Sequence, residues 1–287
     1  MPEQMLPVGD ATLCAETFGD ARDPAVLLLG GAASSMDFWA VDFCAGLAAA
    51  GRFVIRYDNR DTGRSTNYPV GKPGYTGMDL TSDALGVLDA LGIARAHLVG
   101  VSMGGGVAQE LAVTRPDRVA SITVIATGAA LARPADAAPL PPPEARIQEL
   151  FSAGQPAPDW TDRTAAIERV VADLATFGGS VTVSPEEARE VVATAYDRTT
   201  DFAASQTNHW ILEQGPPDPH ALADIAVPTL VLHGTEDPFF PFPHGEALAR
   251  EIPGARLVPM PGVGHEYPPR QVWPTVLPAI IAHTDGQ

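Results

Sequence analysis

Basic residues are scarce: 18 Lys and Arg stand against 35 Asp and Glu in 287 residues, a formal charge of −17. Such a surface repels phosphate backbones and anionic lipids, so neither nucleic acid nor a membrane is an expected partner. The acids are dispersed without a long run and read as a solvated, solubilising face. Cysteine is scarcer still. Cys14 and Cys44 are in neither CxxC nor zinc-ligand spacing, which excludes a disulfide framework and predicts two reduced, buried thiols. No window holds about 18 uninterrupted apolar residues, and MPEQMLPVGD has neither a basic n-region nor an apolar h-region. A cytoplasmic protein without a membrane span is expected. No HExxH or paired-histidine spacing points to a metal, and no segment demands a cofactor.

What the chain does have is a repeating alternation. AVLLLGG at 25–31 is apolar on both faces, as a buried parallel strand is. A helical pattern follows from Ser35 to Ala50, then a strand from Phe53 to Asp58. The rhythm repeats with a helix over Asp79–Leu91, a strand over His97–Val101, a helix over Val107–Thr114 and a strand over Val119–Ile125. Alternation of this kind implies a parallel sheet covered by helices on both faces. The proline cluster ARPADAAPLPPPE at 132–144 stops it, because proline lacks the helical N–H and favours extended backbone. Helical pieces at Thr164–Leu174 and Pro185–Tyr196 occupy the interruption without a clear strand. The rhythm resumes with VPTLVLHG at 227–234, a helix over His244–Glu251, a strand ARLVPM and a final helix over Gln271–His283. The expected organisation is an α/β core over 1–128 and 226–287, with a helical cap inserted over 129–225.

One stretch carries chemistry. HLVGVSMGGGVA places Ser102 between the end of a predicted strand and the start of a helix, in Gly100-Val101-Ser102-Met103-Gly104. G-x-S-x-G in strand-turn-helix context is the pattern of a nucleophile elbow, whose sharp turn leaves no room for side chains two positions to either side. A phosphate loop is a poorer reading, since no lysine follows the glycines and G-x-G-x-x-G is absent there. A nicotinamide site at the first βαβ unit, with Asp58 as ribose acid, would need glycines where the chain has Gly30, Ala32 and Ser35.

A serine hydroxyl needs a base, and the base needs an acid to hold its tautomer. His265 stands in MPGVGHEYP, a glycine-rich loop just after the last predicted strand, at the edge where open α/β sheets place ligands. Of the other histidines, His97 begins a strand at the opposite edge, His233 lies inside a strand end, and the rest fall in the insertion or on helices. Asp237 in HGTEDP follows a strand and is the expected acid, with Glu236 its nearest rival. The order Ser102, Asp237, His265 is the α/β-hydrolase order.

With these residues in place the chain resembles the α/β-hydrolases, and most closely the aclacinomycin methylesterases. The likeness runs through GDARDPAVLLLGG, VIRYDNRDTGRST, HLVGVSMGG, VPTLVLHGTEDPFFP and PGVGHEYPP, while the insertion does not obviously match. It implies a serine esterase with backbone donors at Met103 and Ala32 forming an oxyanion hole. Many relatives read HG before the second donor where this chain reads Gly30-Gly31, a change that an N–H donor tolerates. Asp58, Arg60 and Asp61 belong to a shared loop signature and are expected to form structural ion pairs. Aromatics of the cap, Trp160, Phe177, Tyr196 and Trp210, together with Phe239, are expected around an apolar pocket for a small-molecule ester, with packing inside the cap the competing role of each. A perhydrolase or carbon–carbon bond hydrolase would use the same triad, and a non-catalytic small-molecule receptor the same fold.

Overall fold

A computed structural model describes residues 2–152, 157–213, 215 and 219–285. Among the described residues eight strands form one sheet: β1 (Gln4–Val8), β2 (Ala11–Phe18), β3 (Ala25–Leu29), β4 (Phe53–Tyr57), β5 (Ala96–Val101), β6 (Val119–Ile125), β7 (Thr229–Gly234) and β8 (Arg256–Met260). Their spatial order is β1-β2-β4-β3-β5-β6-β7-β8. β2 pairs antiparallel with both β1 and β4, and every later pairing is parallel. The helices are α1 (Val41–Ala49), α2 (Gly77–Ala90), α3 (Met103–Thr114), α4 (Ala145–Ser152), α5 (Arg163–Phe177), α6 (Pro185–Arg198), α7 (Phe202–Thr207), α8 (Pro243–Glu251) and α9 (Trp273–His283).

The continuous apolar strands serve two faces at once. Leu27 and Leu29 of β3 pack with Ile55, Leu80, Leu111 and Leu248 on one side. Val26 and Leu28 pack with Val54, Phe43, Leu47 and Ile280 on the other. Successive strand residues point to opposite faces, so a strand covered on both has no place for a polar alternate.

The first two strands are absent from the sequence reading. Pro7 argues against a strand, yet it is tolerated because β1 is the sheet's edge, where a missing ladder donor costs little. The helix expected over Ser35–Ala50 is also broken, into a 3-10 turn at Met36–Phe38 and α1. Nη1 of Arg56, reaching across from β4, takes the carbonyls of Met36 (3.1 Å) and Trp39 (2.6 Å) that a continuous helix would use.

Between β6 and β7 the described elements are α4 to α7 and two 3-10 turns, Asn208–Ile211 and Leu222–Asp224. Ser184 caps α6 in a reciprocal box with Glu187, with Pro185 in the first turn. α5 and α6 bury Ala166, Ile167, Val170, Ala188 and Val192 with Phe202 in a cluster separate from the sheet's two cores. Both cysteines are free and buried, and burial pushes each thiol up to about 12. Among the described residues no helix is long and apolar enough to cross a membrane.

Candidate active site

Ser102 sits at the junction of β5 and α3 with φ 51° and ψ −114°, a left-handed backbone that a non-glycine residue adopts only under constraint. The constraint is on both sides of it. Its N–H donates to the Ile125 carbonyl at 2.9 Å, and its own carbonyl accepts from the Gly105 N–H and the Thr127 hydroxyl, each at 2.9 Å. A Cβ at Gly100 would lie 2.1 Å from the Gly104 carbonyl oxygen, and one at Gly104 would lie 2.4 Å from that of Leu29. Both obstructions are backbone, so the spacing of the motif is a steric requirement of the turn.

His265 Nε2 lies 3.0 Å from Ser102 Oγ, and His265 Nδ1 lies 3.0 Å from Asp237 Oδ2. An ionised carboxylate only accepts, so Nδ1 carries the proton and Nε2 is free to accept from the serine. Oδ1 of Asp237 accepts the Phe239 and Phe240 N–H groups at 2.9 and 2.8 Å. Burial alone would raise this carboxyl, but the charge and hydrogen bond of His265, helped by His233 and the Phe240 amide, hold it below the ordinary value. Glu236 is exposed and turned elsewhere, accepting from the Ser180 N–H (2.7 Å) and hydroxyl (2.9 Å). The second histidine near Asp237, His233, donates to the Phe240 carbonyl at 2.7 Å, and burial pushes its pKa down.

The loop that carries His265 leans on the insertion. The His265 N–H donates to the Phe177 carbonyl at the end of α5 (2.8 Å), one of the acceptors a helix terminus leaves open. Val181 N–H donates to the Gly262 carbonyl at 2.8 Å. Glu266 takes the Thr182 hydroxyl at 2.9 Å, and burial raises its carboxyl above the usual range.

The turn after β3 runs beside the serine: a Cβ at Gly31 would stand 3.7 Å from the Ser102 Cβ. Gly31 N–H donates to Tyr267 Oη (2.8 Å) and Ala33 N–H to His209 Nδ1 (2.9 Å). Between them the Ala32 N–H has no protein acceptor among the described residues, nor has the Met103 N–H at the start of α3. Tyr267 and His209 escaped the sequence reading. Tyr267 stands two residues beyond His265 in a quoted motif, whereas His209 carries no local signal at all.

The aromatics divide. Phe177 and Phe239 lie beside His265, with ring centroids at 5.8 and 5.0 Å, and Phe240 joins them at 5.6 Å. Phe151, unforeseen, contacts both Phe177 and Phe239 and links them to Trp210 at 5.2 Å. Trp160 and Tyr196 do not belong to this set. Both stack on Phe202 in the insertion's own cluster, and the Tyr196 hydroxyl donates to the Trp160 carbonyl, so both pack inside the insertion.

Of the loop signature after β4, Arg60 and Asp58 make the expected ion pairs, whereas Asp61 bonds neutral groups instead. Arg60 forks onto Asp83 at 2.8 and 2.9 Å, and Asp61 accepts from Tyr75 and Asn208. The fully buried Asp58 accepts the Met36 and Arg64 N–H groups and Nη2 of Arg198 (2.8 Å), the last residue of α6. Among the described residues no group of three or more His, Cys, Asp or Glu is arranged to hold a metal ion.

The family model for the alpha/beta hydrolase fold matches residues 24–267. Rhodomycin D methylesterase DauP of Streptomyces sp. strain C5 is 36% identical, over 99% of this chain and 98% of its own. Rhodomycin D methylesterase DnrP of Streptomyces peucetius is 34% identical with the same coverage. Among solved structures, the enol-lactonase from Burkholderia xenovorans LB400 has a TM-score of 0.71 at 25% identity, covering 98% of this chain and 99% of that one. The nearly full-length match, the eight-stranded sheet and the elbow at Ser102 agree: the chain belongs to the alpha/beta hydrolase fold family.

Proposed function

We propose that the protein is a serine esterase that hydrolyses the methyl ester of a bulky, partly aromatic acid of polyketide type. The observation that carries the reading is the chain of contacts Asp237 Oδ2 to His265 Nδ1 and His265 Nε2 to Ser102 Oγ, each 3.0 Å. Ser102 Oγ attacks the ester carbonyl while His265 takes its proton, and the oxyanion is met by the N–H groups of Ala32 and Met103. Such a donor is worth about 100- to 1000-fold in rate. Collapse of the tetrahedral adduct breaks the carbonyl carbon to alkoxy oxygen bond. His265 returns the proton to the leaving methoxide, and methanol departs. Water, deprotonated by the same imidazole, then attacks the acyl-serine and releases the acid. Asp237 stays ionised throughout, orienting the ring and stabilising the imidazolium.

Support for the substrate class comes from two sides. The relatives DauP and DnrP are named for rhodomycin D methylester cleavage, and the rings of Phe177, Phe239, Phe151 and Trp210 run from His265 outward. In this reading residues 129–225 act as a cap that selects the acid part of the ester.

A fluorophosphonate probe with peptide mapping tests the nucleophile. A single adduct on Ser102, lost in Ser102→Ala and slowed in His265→Ala, is expected, with turnover of an aromatic methyl ester falling about 10⁴- to 10⁶-fold in either variant. Ester turnover retained in Ser102→Ala would overturn the reading. Tight binding of the ester without turnover by the wild type would favour a receptor instead.

A further inference from the structure

The oxyanion turn after β3 is not self-supporting. Ala33 has φ 57°, a left-handed backbone in a residue without glycine's freedom, so neighbouring groups must hold it there. Those groups come from the insertion. His209, in the 3-10 turn that follows α7, accepts the Ala33 N–H on Nδ1 at 2.9 Å. Gln206 of α7 donates to the Ala33 carbonyl at 3.2 Å. The peptide groups on both sides of one strained residue are therefore gripped by one short segment of the insertion.

The His209 ring has only one arrangement that satisfies its contacts. An N–H facing Nδ1 requires that nitrogen to accept, and the Arg60 carbonyl, 2.9 Å from Nε2, requires that one to donate. The two contacts independently select the same neutral tautomer. Burial pushes the ring's pKa down, in the direction that keeps it neutral. The anchor is itself fixed: the Arg60 guanidinium forks onto Asp83, and Asn208, next to His209, bonds Asp61 (2.9 Å) and the Gly71 N–H (2.8 Å). From the other side, Tyr267 Oη accepts the Gly31 N–H at 2.8 Å. Of three consecutive N–H groups, the outer two are engaged and only that of Ala32 is left for a substrate oxygen.

We propose that His209 and Gln206 are positioning residues that set the oxyanion turn, with Tyr267 as their counterpart on the core. The insertion thereby helps build the catalytic site as well as covering it. The inference rests on the serine-esterase reading above. It predicts an effect on the chemical step, since a donor displaced by about 1 Å costs on the order of 100-fold.

Two amide replacements separate the contacts of His209. His209→Asn keeps an oxygen near the Nδ1 position, able to accept the Ala33 N–H, and loses the donor to Arg60. His209→Gln places its amide nitrogen near Nε2, keeping the Arg60 contact and losing the acceptor for Ala33. With an aromatic methyl ester, His209→Gln is expected to lower kcat about 10- to 100-fold at unchanged KM, while His209→Asn recovers most of the loss. A trifluoromethyl ketone, which forms a tetrahedral adduct on the serine, should lose affinity in His209→Gln by a similar factor. Equal losses in the two variants, or a fall in melting temperature with kcat intact, would overturn the proposal. If His209→Gln does not fold, Tyr267→Phe and Gln206→Met remove the flanking contacts singly, and wild-type kcat in both would overturn it as well. Failure of the wild type to turn over the ester or to be labelled on Ser102 is a separate outcome, which removes the esterase reading itself.

Discussion

The two parts of the molecule that meet at His265 hold their residues by different means. At the carboxyl edge of the sheet, geometry is enforced by backbone against backbone: Ser102 is strained in place because Gly100 and Gly104 let three main-chain segments come together. The insertion adds, to main-chain bonds such as His265 N–H to Phe177, a set of side chains that bridge it and the core: Arg198 onto Asp58, His209 onto Ala33 and Arg60, and Glu236 of the core onto Ser180. Main-chain packing permits essentially one residue type at a position. A side-chain contact can be made by many residues from many places. The first kind of constraint leaves a motif in the sequence, and the second leaves almost nothing.

The largest effect should come from breaking the first kind. Gly104→Ala drives a Cβ into the Leu29 carbonyl with no flexible atom to yield, so β5, α3 and the elbow must shift. A loss of kcat/KM of at least about 1000-fold is expected, with destabilisation of about 3 kcal/mol. Gly106→Ala, two residues along the same helix, meets only the Ala130 Cβ at 3.6 Å. It should leave activity intact and gain up to about 1 kcal/mol in urea unfolding from the helix preference of alanine. Equal damage from both would mean that the close approach at Gly104 is not what shapes the elbow.

Breaking the second kind away from the turn after β3 should cost stability before chemistry. Arg198→Met strips the fully buried Asp58 carboxylate and Asp37 of their guanidinium, while Glu3 keeps Arg64. About 3 kcal/mol is expected from chemical denaturation, the usual scale for a buried charge left without its partner. Burial already raises the Asp58 carboxyl despite Arg198, and removing the arginine raises it further. A carboxyl raised in the folded state favours folding when protonated, and that contribution is lost as pH rises through its pKa. The deficit of Arg198→Met should therefore be larger at pH 8 than at pH 5.

The amino edge of the sheet gives a control remote from the site. His97 at the start of β5 is buried, with Nδ1 2.8 Å from the Ser121 hydroxyl; burial, then the charges of Arg52, His283 and Arg95, push its pKa down to about 4. Between pH 6.5 and 4 the unfolded chain binds a proton that the folded chain refuses, so stability falls as pH falls. The slope is about 1.4 kcal/mol per pH unit for one group, or about 2 kcal/mol between pH 6.5 and 5. His97→Gln should flatten the stability profile by that one proton and leave ester turnover unchanged. A profile of unaltered slope would show that His97 is not excluded from protonation in the fold.

The same division governs what could be read from the sequence. The strands β3 to β7 were legible because burial on both faces leaves uninterrupted apolar runs, and Ser102, Asp237 and His265 because each follows a strand at one edge of the sheet. The strand β1 was not, since an edge strand tolerates Pro7, nor was β2, an inner strand whose Thr12, Glu16 and Thr17 leave no uninterrupted apolar run. The helix predicted across Ser35–Ala50 failed because Arg56, on another strand, captures its carbonyls. His209 meets Ala33 across 176 residues of chain, a contact with no periodicity or spacing to announce it. Trp160 and Tyr196 look like pocket aromatics in composition alone, and only their stacking on Phe202 separates them from Phe177 and Phe239.

The smallest effect concerns the outer end of the ring series, where the two means of holding a residue are both weak. Trp210 is 46% exposed and Phe151 50% exposed, and they touch each other at 5.2 Å while contributing to none of the buried clusters among the described residues. Large rings left in water do not stabilise the fold, so Trp210→Ala should leave the melting temperature in place. An aromatic pair contributes roughly 0.5–1.5 kcal/mol beyond area, which would raise KM for a bulky aromatic methyl ester by up to about tenfold at unchanged kcat. A short aliphatic ester, too small to reach from Ser102 to these rings, should be turned over as by the wild type. Trp160→Ala is the matched comparison: its ring packs on Phe202, so it should lower the melting temperature without discriminating between the two esters. If Trp210→Ala changed both esters alike, selection would lie nearer His265, at Phe177 and Phe239, and the outer rings would have no part in it.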